Sequence, residues 1–144
     1  MRRILAFSVP IALVFAVLIV VPVSAGTRVD VTMTVTTIFD DNPDAFVATG
    51  IPGCASGVVY DGGANVRFTR ALGMFAGYKV FDCGDDNGFV VFLSARFGPG
   101  GSVGTWSVVD AWGSAAGMSG SGKLIGDPIE TGGITDNYFG TVTF

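Results

Sequence analysis

Apolar and polar residues alternate along most of the chain after residue 25, and this alternation is typical of β-strands with one buried face. The clearest case is 29–36, where three valines and a methionine alternate with Asp30 and three threonines. Seven further strands are predicted, at 57–61, 65–70, 77–83, 89–97, 103–110, 118–125 and 135–144. Segment 89–97 is so apolar that burial of both its faces is expected. Segment 46–53 lacks alternation and is expected to be irregular.

Turn-forming residues separate these segments at intervals of about 8–12 residues, a spacing typical of all-β barrels and sandwiches. Gly62-Gly63 is expected to end one strand, and Asn87-Gly88 to supply the positive φ of a hairpin turn. Asp127-Pro128 and Gly132-Gly133 are expected to bracket a loop. No window after residue 25 has the 3.6-residue periodicity of an amphipathic helix. We therefore predict one all-β domain, 26–144, forming a single antiparallel barrel of about eight strands, with a β-sandwich as the alternative.

The first 25 residues have the organisation of a secretory signal peptide. Arg2 and Arg3 precede an apolar run, 4–21, and Val23-Ser24-Ala25 provides small residues for cleavage after Ala25. This predicts a signal helix outside the fold and a secreted product that meets the membrane only before cleavage. An uncleaved membrane anchor is the alternative, because the run is nearly long enough to span a bilayer.

Removal of this segment makes the charge of the protein more acidic. Without Arg2 and Arg3, 6 of the 8 basic residues remain against 12 acidic ones, a net charge of −6. An acidic surface repels nucleic acids and anionic lipids, so neither is expected as the main partner.

Cys54 and Cys83 are the two cysteines of the chain, and export would place them in an oxidising compartment. A structural disulfide is predicted between them. A loop of this length corresponds to about 3–4 kcal/mol of stabilisation in the chain-entropy model. A metal site or a redox pair is the alternative, although the chain has no histidine and the spacing is not Cys-x-x-Cys.

Several short motifs between Gly53 and Phe144 resemble those of a known group of proteins. They are Gly53-Cys54, Phe81-Asp82-Cys83-Gly84, the turn 86–88, GFVVFLSARF, Gly104-Thr105-Trp106, MSGSGKLIG and TDNYFGTVTF. With these motifs the chain resembles small secreted bacterial proteins of the allene oxide cyclase-like barrel kind, which are related in architecture to plant dirigent proteins. The resemblance implies an eight-stranded barrel with an apolar interior. It implies no single activity, since the wider fold includes cyclases, guides of radical coupling and proteins of unknown role.

The sequence contains no recognisable catalytic or metal-binding motif. The lack of histidine excludes a Ser-His-Asp triad, a Cys-His pair and ordinary zinc sites. Two acidic clusters, Asp40-Asp41 with Asp44 and Asp82 with Asp85-Asp86, are interpreted as turns, with calcium binding as the alternative. No cofactor, metal or catalytic residue is predicted, and enzymatic activity is left open.

A ligand cup inside the barrel is predicted from strand residues that combine aromatic rings with a few charges. Its candidate residues are Arg67, Tyr78, Phe92, Arg96, Trp106, Asp110 and Trp112. The interpretation that we favour for these residues is that the aromatics fill the core and that Arg96, near the end of its strand, reaches water. An Arg96–Asp110 pair in an apolar cup would be able to polarise a substrate.

These observations predict a secreted, non-enzymatic barrel that binds a small apolar ligand or a protein partner. Two alternatives stay open, a cofactor-free cyclase or isomerase and a structural protein of the cell envelope. A homodimer is compatible with this architecture.

Overall fold

A computed structural model describes residues 26–38, 43–70, 72–130 and 132–144. The described residues form eight antiparallel strands and one short 3-10 turn, Gly113–Ala115. The strands are β1 (Arg28–Ile38), β2 (Asp44–Thr49), β3 (Ser56–Phe68), β4 (Gly73–Gly84), β5 (Asn87–Gly98), β6 (Gly101–Trp112), β7 (Ser119–Ile129) and β8 (Gly133–Thr143). The predicted signal peptide, 1–25, lies outside the described residues. The described part of the chain contains no helix with the length and apolarity needed to span a bilayer.

The strands close into a barrel in chain order. Each strand pairs with the next, and β8 pairs with β1 along its whole length, from Arg28 opposite Thr143 to Ile38 opposite Gly133. This closure confirms the barrel and excludes the sandwich alternative. Because the two strands pair along their whole length, this junction leaves no free strand edge between β1 and β8.

Alternation along the strands separates the barrel interior from its outer face. Val91 and Leu93 of β5 are buried in the interior, whereas the residues that follow each of them, Phe92 and Ser94, are exposed. The expectation that 89–97 is buried on both faces is therefore wrong. The barrel is a single sheet, and no second layer covers its outer face within the described residues.

Three local expectations are corrected by the strand boundaries. Segment 46–53 is not wholly irregular, because β2 runs to Thr49 and turns Phe46 into the core. Gly62-Gly63 does not end a strand, since β3 continues through a bulge there. Asp127-Pro128 lies within β7, beyond the last residue that pairs with β6, so the missing N–H of proline disrupts no hydrogen bond on that side.

The β4–β5 turn also differs from the expectation. Asp85 and Asp86 adopt left-handed conformations, with φ of 51° and 58°, and form the two-residue turn. Asn87 already pairs with Gly84 at the start of β5. Two positive φ angles match the twist of antiparallel strands, and aspartate tolerates this conformation better than most residues.

One end of the barrel is sealed. The predicted disulfide between Cys54 and Cys83 is confirmed, with the Cα atoms 5.1 Å apart. It ties the loop after β2 to the end of β4. At the same end Ser114 of the 3-10 turn donates through its hydroxyl to the Pro52 carbonyl (2.9 Å), and Ala115 is fully buried. The opposite end holds the candidate site.

Candidate functional site

A cavity of about 480 Å³ opens at the end of the barrel opposite the disulfide. We call it the lumen cup. It is lined by Thr37, Ile38, Asp44, Tyr60, Asp61, Val66, Phe75, Lys79, Leu93, Ala95, Phe97, Ser102, Leu124, Ile134 and Asp136. Its walls are mostly apolar, and its few polar groups come from six different strands.

Aromatic packing fills the interior below the lumen cup. Phe81 stacks on Phe89 with ring centroids 4.7 Å apart and makes edge contacts with Phe46 (5.0 Å) and Tyr138 (5.7 Å). All four rings are buried. Large inward side chains thus fill one half of the interior and form the floor of the lumen cup.

Small inward residues leave the upper half open. Ala95 and Ser102 occupy inward positions there, and Gly126 lies against the hydroxyl of Ser102 and the carboxylate of Asp136. A Cβ at Gly126 would collide with both oxygens. The size of the side chains along each strand therefore decides which end of the barrel is hollow.

Two carboxylates of the lumen cup are held by hydroxyl groups. Ser102 Oγ donates to Asp136 Oδ1 (2.5 Å), and Thr37 Oγ1 donates to Asp44 Oδ2 (2.9 Å). Thr37 is on β1, next to the strand of Asp44, whereas Ser102 is on β6 and β7 separates it from the strand of Asp136. These bonds fix the direction of each carboxylate without adding a positive charge.

The third carboxylate is paired with the lysine. Lys79 Nζ lies 2.5 Å from Asp61 Oδ1 and 5.2 Å from the centroid of the Phe75 ring. The Asp61 side chain is 54% exposed, whereas that of Lys79 is 18% exposed. Lys79 is therefore held by an ion pair and a cation–π contact at the rim.

The surroundings raise the pKa of both hydroxyl-held carboxyls. Burial is the main cause for Asp136 and Asp44, and the negative charges of Asp44 and Asp61, respectively, add to it. The hydroxyl bonds and Lys79 act in the opposite direction without cancelling the effect. Each carboxylate is thus more costly to ionise here than in water.

Tyr138 connects the floor to this acidic group. Burial raises the pKa of its phenol well above the ordinary value, and the charges of Asp136, Asp61 and Asp44 raise it further. The phenol therefore stays protonated and is available as a hydrogen-bond donor.

The seven residues predicted for the cup lie elsewhere, and one of them points into the barrel interior. Trp106 points inward, but it is 2% exposed and its Nε1 donates to the Lys123 carbonyl (3.1 Å) within the packed core. The other six lie on the outer face: Arg67, Tyr78, Phe92, Arg96, Asp110 and Trp112. None of the seven lines the lumen cup.

Five of the outer residues have distinct surroundings. Tyr78 and Phe92 contact each other edge to face, with centroids 5.5 Å apart. Arg96 lies opposite Val103 in a shallow outer groove, whereas Asp110 lies opposite Val90 near the other end of β5. The structure therefore does not bring Arg96 and Asp110 together. Trp112 is half-buried against Gly88.

The second acidic cluster forms a turn as expected, whereas Asp44 of the first cluster begins β2 and lines the lumen cup. Asp82 Oδ1 accepts from Gly84 N (2.9 Å) beside the Asp85-Asp86 turn. Asp40 and Asp41 lie outside the described residues, which contain no group of three acidic or cysteine side chains able to hold a metal ion.

The structure adds polar residues that the sequence prediction missed, namely Asp44, Asp61, Lys79, Ser102 and Asp136. A comparison with protein-family models gives no match. A comparison with curated protein sequences gives no significant match either.

Proposed function

We propose that this protein is a secreted barrel of the allene oxide cyclase-like kind that binds a small, largely apolar ligand in the lumen cup without transforming it. The observation that carries the proposal is a cavity of about 480 Å³ with apolar walls, an aromatic floor and a small number of convergent polar groups. Typical small-molecule sites occupy roughly 300–1,000 Å³ and share this composition.

Secretion is supported by two features. The Cys54–Cys83 disulfide is of the kind that persists in oxidising compartments, and residues 1–25 have the pattern of a secretory leader. Mass spectrometry of protein recovered from the medium should give a chain that begins at Gly26 and lacks two hydrogens. A reduced chain that retains Met1 would contradict this part of the proposal.

Binding in the lumen cup is tested by filling it. The neutral fluorescent probe N-phenylnaphthylamine should bind one molecule per chain and gain fluorescence in the apolar cup. Ala95→Phe places a ring in the cavity and should weaken binding about tenfold or more, because the probe and the ring would compete for the same space.

The matched control is Ala76→Phe, the same change at an exposed outer position of β4. It should leave probe binding unchanged. Binding that survives Ala95→Phe, or that is lost in Ala76→Phe, would refute the lumen as the binding site. The cyclase alternative differs in requiring turnover, so a bound natural ligand recovered chemically unchanged after incubation supports the binding function.

One observation favours a second candidate function, binding of a protein partner through the outer face. Tyr78 and Phe92 are 45% and 36% exposed and form an aromatic pair, and Val47 and Val109 are also exposed on this face. A second copy of the chain is the simplest partner to test. Sedimentation should then show a dimer that dissociates in Tyr78→Ser, and a monomer at all concentrations would reject this function.

A further inference from the structure

We propose that the ligand of the lumen cup carries a protonated amine, held by the carboxylates of Asp44 and Asp136 while its apolar part fills the cavity. This inference rests on the proposed ligand-binding function and specifies the chemistry of the ligand. It follows from the charge balance of the cup, the hydrogen-bonding capacity left on the two carboxylates and the apolar walls around them.

The lining has more negative than positive groups. Asp44, Asp61 and Asp136 contribute carboxylates, and Lys79 is the one cation among the described lining residues. Lys79 is already engaged by Asp61 at 2.5 Å and by the face of Phe75. Asp44 and Asp136 therefore form no salt bridge in the described part of the cup, although the charge of Lys79 acts on both of them.

Each of these two carboxylates also has unused acceptor capacity. An ionised carboxylate has about four lone-pair sites. Among the described side chains, Asp136 accepts one bond from Ser102 and Asp44 accepts one from Thr37. An ammonium group brings three donors and no acceptor, so it matches what the two side chains still offer.

The two carboxylates face the same cavity from strands that flank β1. Asp44 is on β2 and Asp136 on β8, the two strands that flank β1. Val35 of β1 pairs with Asp136 of β8 on one side and with Phe46 of β2 on the other. Phe46 is the next inward residue of β2 after Asp44. The charge of Asp44 is also close enough to raise the pKa of Asp136.

The apolar walls make the sign of the ligand's charge decisive. Phe75, Leu93, Phe97, Leu124 and Ile134 line the cup around the carboxylates, so the interaction between charges is less screened than in water. An ammonium would compensate the buried negative charge, whereas a carboxylate would add to it. A neutral hydroxyl would gain a hydrogen bond but would leave the charge uncompensated.

The test compares three probes with the same hydrocarbon part: phenylbutylamine, phenylbutanol and phenylbutyrate. Isothermal titration calorimetry on the disulfide-bonded protein at neutral pH should give the tightest binding for the amine. Binding of the alcohol should be about tenfold weaker, the difference that one charge-assisted hydrogen bond typically makes. The carboxylate should not bind detectably.

Variants then assign the effect to the two side chains. Asp136→Asn and Asp44→Asn should each weaken amine binding about tenfold and should change alcohol binding by a much smaller factor, because the alcohol carries no charge. Thermal unfolding of each variant shows that it is folded. Asp127→Asn is the matched control, because Asp127 is an exposed residue of β7 outside the lining. It removes the same charge and should not change amine binding.

The outcomes separate the two proposals. If the alcohol or the carboxylate binds as tightly as the amine, or if Asp127→Asn weakens the amine as much as the cup variants do, the inference about the ligand is wrong and lumen binding stands. If none of the three probes binds, the proposed function itself fails.

Discussion

Phe81 and Phe92 are phenylalanines on neighbouring strands that face opposite sides of the barrel wall, and exchanging each for alanine tests which side is the core. Phe81 is fully buried and contacts the rings of Phe46, Phe89 and Tyr138. Phe92 is 36% exposed. The two changes remove the same atoms, so their difference isolates the environment.

The expected losses follow from these contacts. Phe81→Ala should lower the free energy of unfolding by about 3–5 kcal/mol, the usual range for a buried ring whose removal leaves a cavity. The aromatic contacts of Phe81 place the loss toward the upper end, since each such pair adds about 0.5–1.5 kcal/mol. Phe92→Ala should cost about 1 kcal/mol, from weaker strand propensity and the lost contact with Tyr78.

Urea unfolding followed by the fluorescence of the buried Trp106 measures both losses. Because a domain of this size is stable by only about 5–15 kcal/mol, Phe81→Leu provides a milder variant, with an expected loss of about 1–2 kcal/mol. Equal losses at Phe81 and Phe92, or a larger loss at Phe92, would refute the assignment of inner and outer faces. The lumen cup would then have no basis.

Three further predictions concern other parts of the fold. Reducing the Cys54–Cys83 bond, which closes a sequence separation of 29 residues, should lower the free energy of unfolding by about 3–4 kcal/mol, measured in urea with and without reductant. Burial raises the pKa of Asp136 in the folded state, so the folded protein binds this proton more tightly than the unfolded chain does. Protonation of Asp136 therefore stabilises the fold fully below the ordinary pKa of 3.8, and this stabilisation is lost as pH rises through the folded-state pKa. Asp136→Asn should therefore be more stable than the parent protein at neutral pH and lose this advantage in acid, as thermal unfolding across the pH range would show; an advantage independent of pH would contradict the assignment. A Cβ at Gly140 would meet the Trp106 ring and the backbone of β7. Gly140→Ala should therefore shift tryptophan emission to longer wavelength and destabilise the protein by about 1–3 kcal/mol. Unchanged emission would argue against this contact.

The barrel could be predicted from the sequence because alternation and turns are local signals. Segment 29–36 has strict alternation and became β1, and segment 135–144, which follows Gly132-Gly133, became β8; these two strands close the barrel. β2 was missed because its residues 45–48 are all apolar, so the segment has no alternation of apolar and polar residues. The irregular interpretation of 46–53 therefore failed over the residues that form β2.

It was harder to predict which side chains of each strand face inward, because a bulge of one extra residue exchanges the inward and outward positions after it. In β3, Val59 and Asp61 face inward, and without a bulge Arg67 would do so too. The bulge between Asp61 and Ala64 turns Val66 inward instead, and Arg67 outward. One extra residue thus moves every later side chain to the other face.

The same reasoning explains Asp110 in β6. Trp106 and Val108 continue the inward pattern, but a bulge opposite Val90 and Val91 places Asp110 on the outer face. Arg96 lies on the exposed face of β5. Its neighbours on this face are largely apolar, so the composition of the strand alone does not show which face belongs to the core. The seven predicted cup residues therefore had the right chemistry for a cup but mostly the wrong face.

The polar residues of the lumen cup bear on the choice between a binding protein and a purely structural one. Asp136 and Ser102 occupy inward positions, and burial of a carboxylate opposes folding because the charge loses hydration. A barrel that served only as a scaffold would be more stable with apolar side chains there, as it already has below at Phe81 and Phe89. Residues that lower stability where they border a cavity are typical of sites selected for function. The binding proposal therefore requires opposite effects of Asp136→Asn at neutral pH, a gain in stability and a loss of affinity for the amine, and a structural role gives no reason for the second.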